Sequence, residues 1–437
     1  VFAITAIELQ VSGMRKLYLL MAAMPVCFAG SLASGAWMTG LGPADGYSIF
    51  TLGDLSRSNS DIYGRIAAGG NVTLSSYSVG SRLSGGDTKP SLVVGGALNM
   101  TYGNTNGAVV VGGGAVLNGP TLNSTLDVGG DVTHSGWGSF SGTVTVGGNW
   151  NSSSGLTIQS AARIGGTMTV SGSTNISGGL DVGGNKASIN NPTISGGLRV
   201  NGQIDITGGG SISPGVTYQS NYNGPNYISA TKSSNKPASV PAAASVPVDF
   251  GAATAFFKQA SQQWSQLNNN GTNTLAWGNR TLTGTDSKLN VFNISASDLA
   301  GIYSLAINVP AGSTVLVNVL GTSVTIPNVG YTLNGAALGS EGSGASYGSL
   351  LWNFPQATSL TYSSFGGTIL APLADVTFNS AQHNGMLIAL SSSGNGETHE
   401  YAFTGSLPSV SVGSQVPEPY SLGLLTPVMA AGLRRRR

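Results

Sequence analysis

The chain predicts an all-β fold, a parallel β-helix (β-solenoid) with one flanking α-helix, on three observations. A Gly-Gly pair recurs at 69-70, 95-96, 112-113, 129-130, 147-148, 165-166 and 183-184. The intervals are 26, 17, 17, 18, 18 and 18 residues, and Val200-Asn201-Gly202 continues the beat. Around the pairs, apolar and polar residues alternate, as in Leu126-Asp-Val-Gly-Gly-Asp-Val132 and Val144-Thr-Val-Gly-Gly-Asn-Trp150. A fixed period with strand alternation is the signature of stacked coils. Glycine contributes 66 of the 437 residues, well above the usual share of about 7%. It shows no three-residue period, which excludes collagen.

One coil of 17 or 18 residues holds two or three short strands and cannot bury its apolar side alone. Stacking at the strand spacing of about 4.8 Å lets Val, Ile and Leu ladders close a core. The paired glycines are expected at corners, with positive φ, where side chains would crowd the next coil.

Residues 219–248 interrupt the beat with Asn, Ser, Lys and four prolines, and read as an extended crossing segment. A helix over about 250–268 follows. Phe250, Ala253, Phe257, Ala260, Trp264 and Leu267 recur at three and four residues, and Asn268-Asn-Asn-Gly271 stops it. The stripe is expected to lie along the flank of the solenoid. Beyond residue 280, strands such as Val315–Leu320, Ser323–Ile326, Gly367–Leu370, Asp375–Phe378 and Gly385–Ala389 continue as longer coils.

The chain divides into residues 1–36, a body over 37–415 and a tail over 416–437. Met14-Arg15-Lys16 leads a short apolar run to Ala29, with small residues at Ser34-Gly35-Ala36. This is the pattern of a secretory signal that starts at Met14 and is cleaved near Ala36. The one cysteine, Cys27, falls inside it, so the body holds no disulfide or thiolate site. The body carries 12 basic and 15 acidic residues, a net −3, without basic clusters. That balance sets nucleic-acid binding aside, since it depends on neutralising phosphates.

The tail runs Val416-Pro417-Glu418-Pro419, then an apolar stretch from Tyr420 to Leu433, then Arg434-Arg435-Arg436-Arg437. In that order the three parts resemble a PEP-CTERM sorting signal. The resemblance implies processing by an exosortase-type enzyme at the Pro-Glu-Pro motif and transient inner-membrane association. The arginines would stay on the cytoplasmic side. The apolar stretch has 14 residues, short of the roughly 20 that span a bilayer.

Within the body, residues 50–72, Leu351-Trp-Asn-Phe354, Gly367–Asp375, Gly394–Glu400 and Phe403-Thr-Gly405 resemble the opening and closing motifs of the choice-of-anchor A domain. The match covers about residues 46–405. It implies an exported bacterial protein with an ice-binding-like, adhesive β-solenoid at the cell surface, and it carries no catalytic residues.

Catalytic patterns are weak. Gly344-Ala-Ser346-Tyr-Gly348, followed by Asp375 and His383 or His399, follows the hydrolase order. In a chain this rich in Gly and Ser about one such pattern arises by chance, and no helix follows this one. Asp127, Asp131 and Asp181 sit beside the Gly-Gly beat, where two acids could flank a glycosidic bond. Surface acids at turns are the plainer reading. His134, His383 and His399 lack zinc spacing. Glu397, His399 and Glu400 read as a capping hydrogen-bond network. Thr143, Thr145, Thr167 and Thr169 suggest an interrupted threonine ladder, the requirement for binding ice.

The expectation is therefore a non-catalytic adhesive or structural protein without cofactor, bound to polysaccharide or biofilm matrix. Trp137, Trp150 and Tyr102 would punctuate its polar face. A polysaccharide lyase or hydrolase, or an ice binder, on the same scaffold is the alternative.

Overall fold

One coil shows how the sequence becomes structure. Val109–Val111, Ala115–Asn118 and Thr121–Leu122 are three short strands, and Leu126–Val128 begins the next coil directly over the first of them. Val109, Val111, Leu117 and Leu122 point inward and are fully buried, while Val116 and Thr121 point out. Repetition of this unit gives three parallel faces, here called the helix-side, open and third faces. The computed structural model describes residues 36–84, 89–240 and 245–411.

The glycine pairs sit at the corner between the helix-side and open faces, but their φ angles are not positive. Their reason is closeness of backbones. A β-carbon on Gly129 would lie 2.3 Å from the Gly112 carbonyl oxygen, one on Gly147 2.4 Å from that of Gly129, and one on Gly165 2.3 Å from that of Gly147. The corner is further tied by side chains. The Asp131 carboxylate accepts from the Asn149 backbone N–H (2.7 Å), and the Asn149 side-chain amide oxygen accepts from that of Thr167 (2.8 Å). Asp54, Asn71 and Ala97 repeat the device.

The coils do not stack in chain order. Ile49–Thr51 pairs on one side with Ile66–Ala68 and on the other with Leu387–Gly394. The chain thus starts in the middle of the stack and winds outward to Ala230–Lys232. It then crosses back and winds inward from Leu289–Ser295, closing on its own first coil. The later strands do continue the solenoid, as expected, though onto the first coil rather than the last. The crossing segment runs on the helix-side face, where Asn201 and Ala238 exchange two hydrogen bonds of 2.8 Å.

The expected helix is present as Phe250–Ser265, capped by the Asp249 carboxylate on the Ala252 N–H. Its stripe of Ala253, Phe257, Ala260 and Trp264 is buried against Phe50, Ala67 and Val93 from one half and Leu316, Leu351, Leu370 and Ile388 from the other. Under its last turns lies a column of amides, Asn293–Asn318–Asn353, the first half-buried and the other two buried. Asn353 exchanges hydrogen bonds with Ser261 (2.5 and 2.8 Å), and Asn318 donates to the Trp264 carbonyl (3.1 Å). The helix therefore bridges the junction of the two halves. A hairpin, Thr272–Ala276 with Asn279–Thr283, edges a five-stranded sheet on the third face that the sequence does not announce.

Inside the coils, His134 stacks edge-on with Phe140 and lies beside Trp150. His383 holds the Tyr362 hydroxyl (3.0 Å) and the Gly367 carbonyl (2.9 Å). Burial pushes both imidazoles down to about 4 from 6.5. Each folded value lies below the unfolded one, so the stability it contributes is complete above pH 6.5 and declines as pH falls through 4. The slope is about 1.4 kcal/mol per pH unit for each histidine. Urea midpoints are expected to fall between pH 7 and pH 4.5, and His383→Asn to reduce that fall. A flat pH profile contradicts neutral burial of the pair.

Candidate functional site

Strand alternation gives every coil one outward column on the open face, and parallel pairing aligns these columns. The result is a ladder: Thr325, Thr361, Thr377, Ser393, Ser56, Thr73, Asn99, Val116, Thr133, Asn151, Thr169, Ser188, Asp205 and Asn223. Fourteen coils at about 4.8 Å give it a length of roughly 60 Å. It crosses the junction of the halves without a break. Thr377, Ser188 and Asp205 are half-buried, and the rest are exposed. Asp205 is held below the usual carboxylate range by the Gln203 amide and the Lys186 ammonium.

A shorter polar column, Thr121, Ser139, Thr157, Asn175, Thr193 and Ser211, lies on the third face. The outward column of the helix-side face is different. It is apolar under the helix, then reads Asp127, Thr145, Arg163, Asp181, Arg199.

This register sorts the residues singled out above. Thr145 lies buried on the helix-side face, Thr169 is exposed on the open face, and Thr143 and Thr167 sit at corners. The four do not form one ladder, because strand position rather than type decides which face a threonine meets. Trp150 points inward and is fully buried, so it cannot serve a surface. Trp137 and Tyr102 are exposed at the corner between the open and third faces.

The acids are also placed. Asp127 and Asp181 share a column, three coils apart. Asp181 is not an exposed acid at a turn: it lies on a strand, buried, in a bidentate pair with Arg199 (2.6 and 2.7 Å). Asp131 is a corner cap. Asp375 accepts from the Ser391 hydroxyl (2.5 Å), while both nitrogens of His383 are taken by Tyr362 and Gly367. The hydrolase-like set Ser346, Asp375 and His383 is therefore not assembled.

Glu397 and His399 do meet in a network. The His399 ring stacks on Tyr63 (4.2 Å, 7°), and Arg82 covers the other side of the phenol at 3.6 Å. Arg82 pairs with Glu341 at 2.7 Å. His399 Nδ1 donates to the Asn384 side-chain amide oxygen (2.7 Å), and Nε2 lies 3.2 Å from Glu397, without hydrogen-bond alignment. Burial, reinforced by Glu397, pushes the Tyr63 phenol up to about 12. Glu400 instead approaches Arg65 (3.7 Å). Every polar group of the network faces another, which makes it a clamp between the first coil, the last coil and the segment carrying Glu341.

Among the described residues, no group of three His, Cys, Asp or Glu side chains could hold a metal ion. A cleft of about 500 Å³ between Pro43, Tyr47 and the start of the helix is mostly apolar, and its carboxylate, Asp249, caps the helix. No helix of the described residues is long and apolar enough to cross a membrane. Pro417, Glu418, Pro419 and Arg434 to Arg437 lie outside the described residues, and Ala36 precedes the first strand, Trp37–Thr39.

A family model described as "Putative Ice-binding-like adhesive domain" matches residues 40–129 and 126–400. Two solved structures are similar. The tapirin C-terminal domain of Caldicellulosiruptor kristjanssonii shares 11% identity, over 84% of this chain and 94% of that one, with a TM-score of 0.29. An ice binding protein from an Antarctic bacterium, Flavobacteriaceae, shares 13%, over 83% and 98%, with a TM-score of 0.20. Scores this low carry no argument about function. No curated protein matches the chain.

Proposed function

The chain belongs to the ice-binding-like adhesive domain family, and from that premise we propose that it is a non-catalytic adhesive protein of the cell surface or extracellular matrix. Its open face would hold hydroxyl-rich polymers of an exopolysaccharide or biofilm matrix. The observation that carries this reading is the open-face ladder, polar at every position but Val116. Hydroxyls and amides there repeat at the coil spacing, on the order of one sugar ring, and can both donate to and accept from a sugar polymer.

Ice binding would use the same ladder, in which six positions are threonine. Asn99, Val116, Asn151 and Asp205 interrupt it, and amides with a carboxylate suit sugar hydroxyls better than an ice lattice. A lyase or hydrolase would need two free carboxylates across a groove. Asp131 is instead engaged as a corner cap, Asp181 in an ion pair with Arg199, Asp375 with the Ser391 hydroxyl and Glu397 beside His399.

For the ends of the chain we propose a choice-of-anchor A protein with an exported body. Pro417, Glu418, Pro419 and the four terminal arginines would hold it transiently in the inner membrane until an exosortase-type enzyme acts. The reading is tested by retention on a polysaccharide array scored for released product.

A further inference from the structure

Two exposed aromatic side chains sit on backbone that does not suit them. Trp277 has φ of 51° and Tyr102 φ of 56°, and each precedes a glycine that is also left-handed, Gly278 at 78° and Gly103 at 82°. Two consecutive positive φ angles describe the tight hairpin turn that favours Asn-Gly, and a bulky residue at its first position is a strained choice. Trp277 is also 95% exposed. The position thus bears both backbone strain and the cost of an uncovered indole, a combination that is a reason to look for function.

The surroundings indicate the ligand. Tyr303, 75% exposed, lies against the same turn. Its backbone N–H donates to the Gly278 carbonyl (2.7 Å), and a β-carbon on Gly278 would come within 2.6 Å of its ring. Two aromatic rings therefore flank one glycine at the edge of the five-stranded sheet. The rim is amide and hydroxyl: Asn279 accepts from Ser304 (2.7 Å), and Thr274 and Asn273 lie on the exposed edge strand. The one charged residue of the hairpin, Arg280, is buried and paired with Asp298 (2.9 Å). A surface of flat rings with an uncharged hydrogen-bonding rim matches the two chemistries of a neutral sugar, an apolar C–H face and equatorial hydroxyls. It lacks the cations that an anionic polymer or a lipid headgroup would require.

We propose that Trp277 and Tyr303 form a stacking platform for a neutral saccharide, a second binding site separate from the open-face ladder. This rests on the adhesive reading and extends it to a substrate class.

The test is affinity electrophoresis of the full chain through hydroxyethylcellulose, dextran and galactomannan, with alginate as the anionic polymer. The variants are Trp277→Asn and Tyr303→Ala. Asparagine suits the turn, so Trp277→Asn should melt at the same temperature or higher while its retardation by a neutral polymer weakens at least tenfold. Tyr303→Ala should weaken it in the same direction. Equal retardation of the Trp277→Asn variant overturns the platform and leaves the adhesive reading standing. Retardation by alginate alone overturns the neutral class. A dimer that Trp277→Asn dissolves, seen by light scattering, overturns the proposal in favour of contact between copies. No retardation of the native chain by any polymer removes the polysaccharide reading and the platform together.

Discussion

Gly147→Ala is expected to destabilise the protein by about 3 kcal/mol. The added methyl would sit 2.4 Å from the Gly129 carbonyl oxygen and 3.2 Å from its carbon, both backbone atoms. Neither can rotate away as a side chain could. The coil spacing is held on both sides, by Gly147 N–H to the Val128 carbonyl (2.8 Å) and Gly165 N–H to the Val146 carbonyl (2.7 Å). Relief therefore requires spreading a corner at which glycine lies over glycine through several coils. Urea unfolding should show a lower midpoint with an unchanged slope. Gly330→Ala is the control, because a β-carbon there meets open space and φ is not left-handed; it should stay within about 0.5 kcal/mol. Equal stability of Gly147→Ala and Gly330→Ala would contradict the close-approach account of the repeat.

The second large effect falls on binding. Thr133 and Thr169 are exposed members of the open-face ladder, two coils apart with Asn151 between them. The double variant T133K/T169K leaves the interior untouched, so its stability should change little. It places two long, hydrated ammonium groups about 10 Å apart on a face that would otherwise offer a regular array of short polar groups. A neutral polymer would lose the ladder contacts at these coils and their neighbours. Retention on a matrix polysaccharide is expected to drop at least a hundredfold, which corresponds to about 2.7 kcal/mol. The same two lysines at Thr193 and Asn175, on the third face, should cost little. If both pairs weaken retention equally, the open face is not the binding face.

Much of the architecture was legible because it is local. The Gly-Gly interval shows the coil length, and the Phe250 to Leu267 stripe shows a helix with one apolar side. The Asp127–Asp181 column follows from counting residues between beats. What the sequence concealed depends on partners far along the chain. Ile49 pairs with Leu387, more than 300 residues away, and no local pattern states that the second half closes on the first coil. The face of each threonine was hidden for a related reason. Thr145 and Thr169 look alike until the corner between them is placed by the backbone.

Trp150 did carry a signal. It aligns with Val132 and Met168 in the neighbouring coils, both inward apolar residues, and that column places it in the core. The glycine pairs were placed at the right corners but for an incomplete reason. Contact between stacked backbones demands them, and left-handed φ does not. The Tyr63–His399 stack and the Trp277 turn needed the folded chain, since their strain and contacts are not sequence properties.

The central claim is that the open face holds polysaccharide without cutting it. The most direct measurement passes the full chain over immobilised matrix polysaccharide, following retention and the appearance of new reducing or unsaturated ends in the same sample. Retention with no new ends is the result expected here. New ends that accumulate with time and protein concentration would contradict it, and would turn attention to Asp127, Asp131 and the Glu341–Glu397 network.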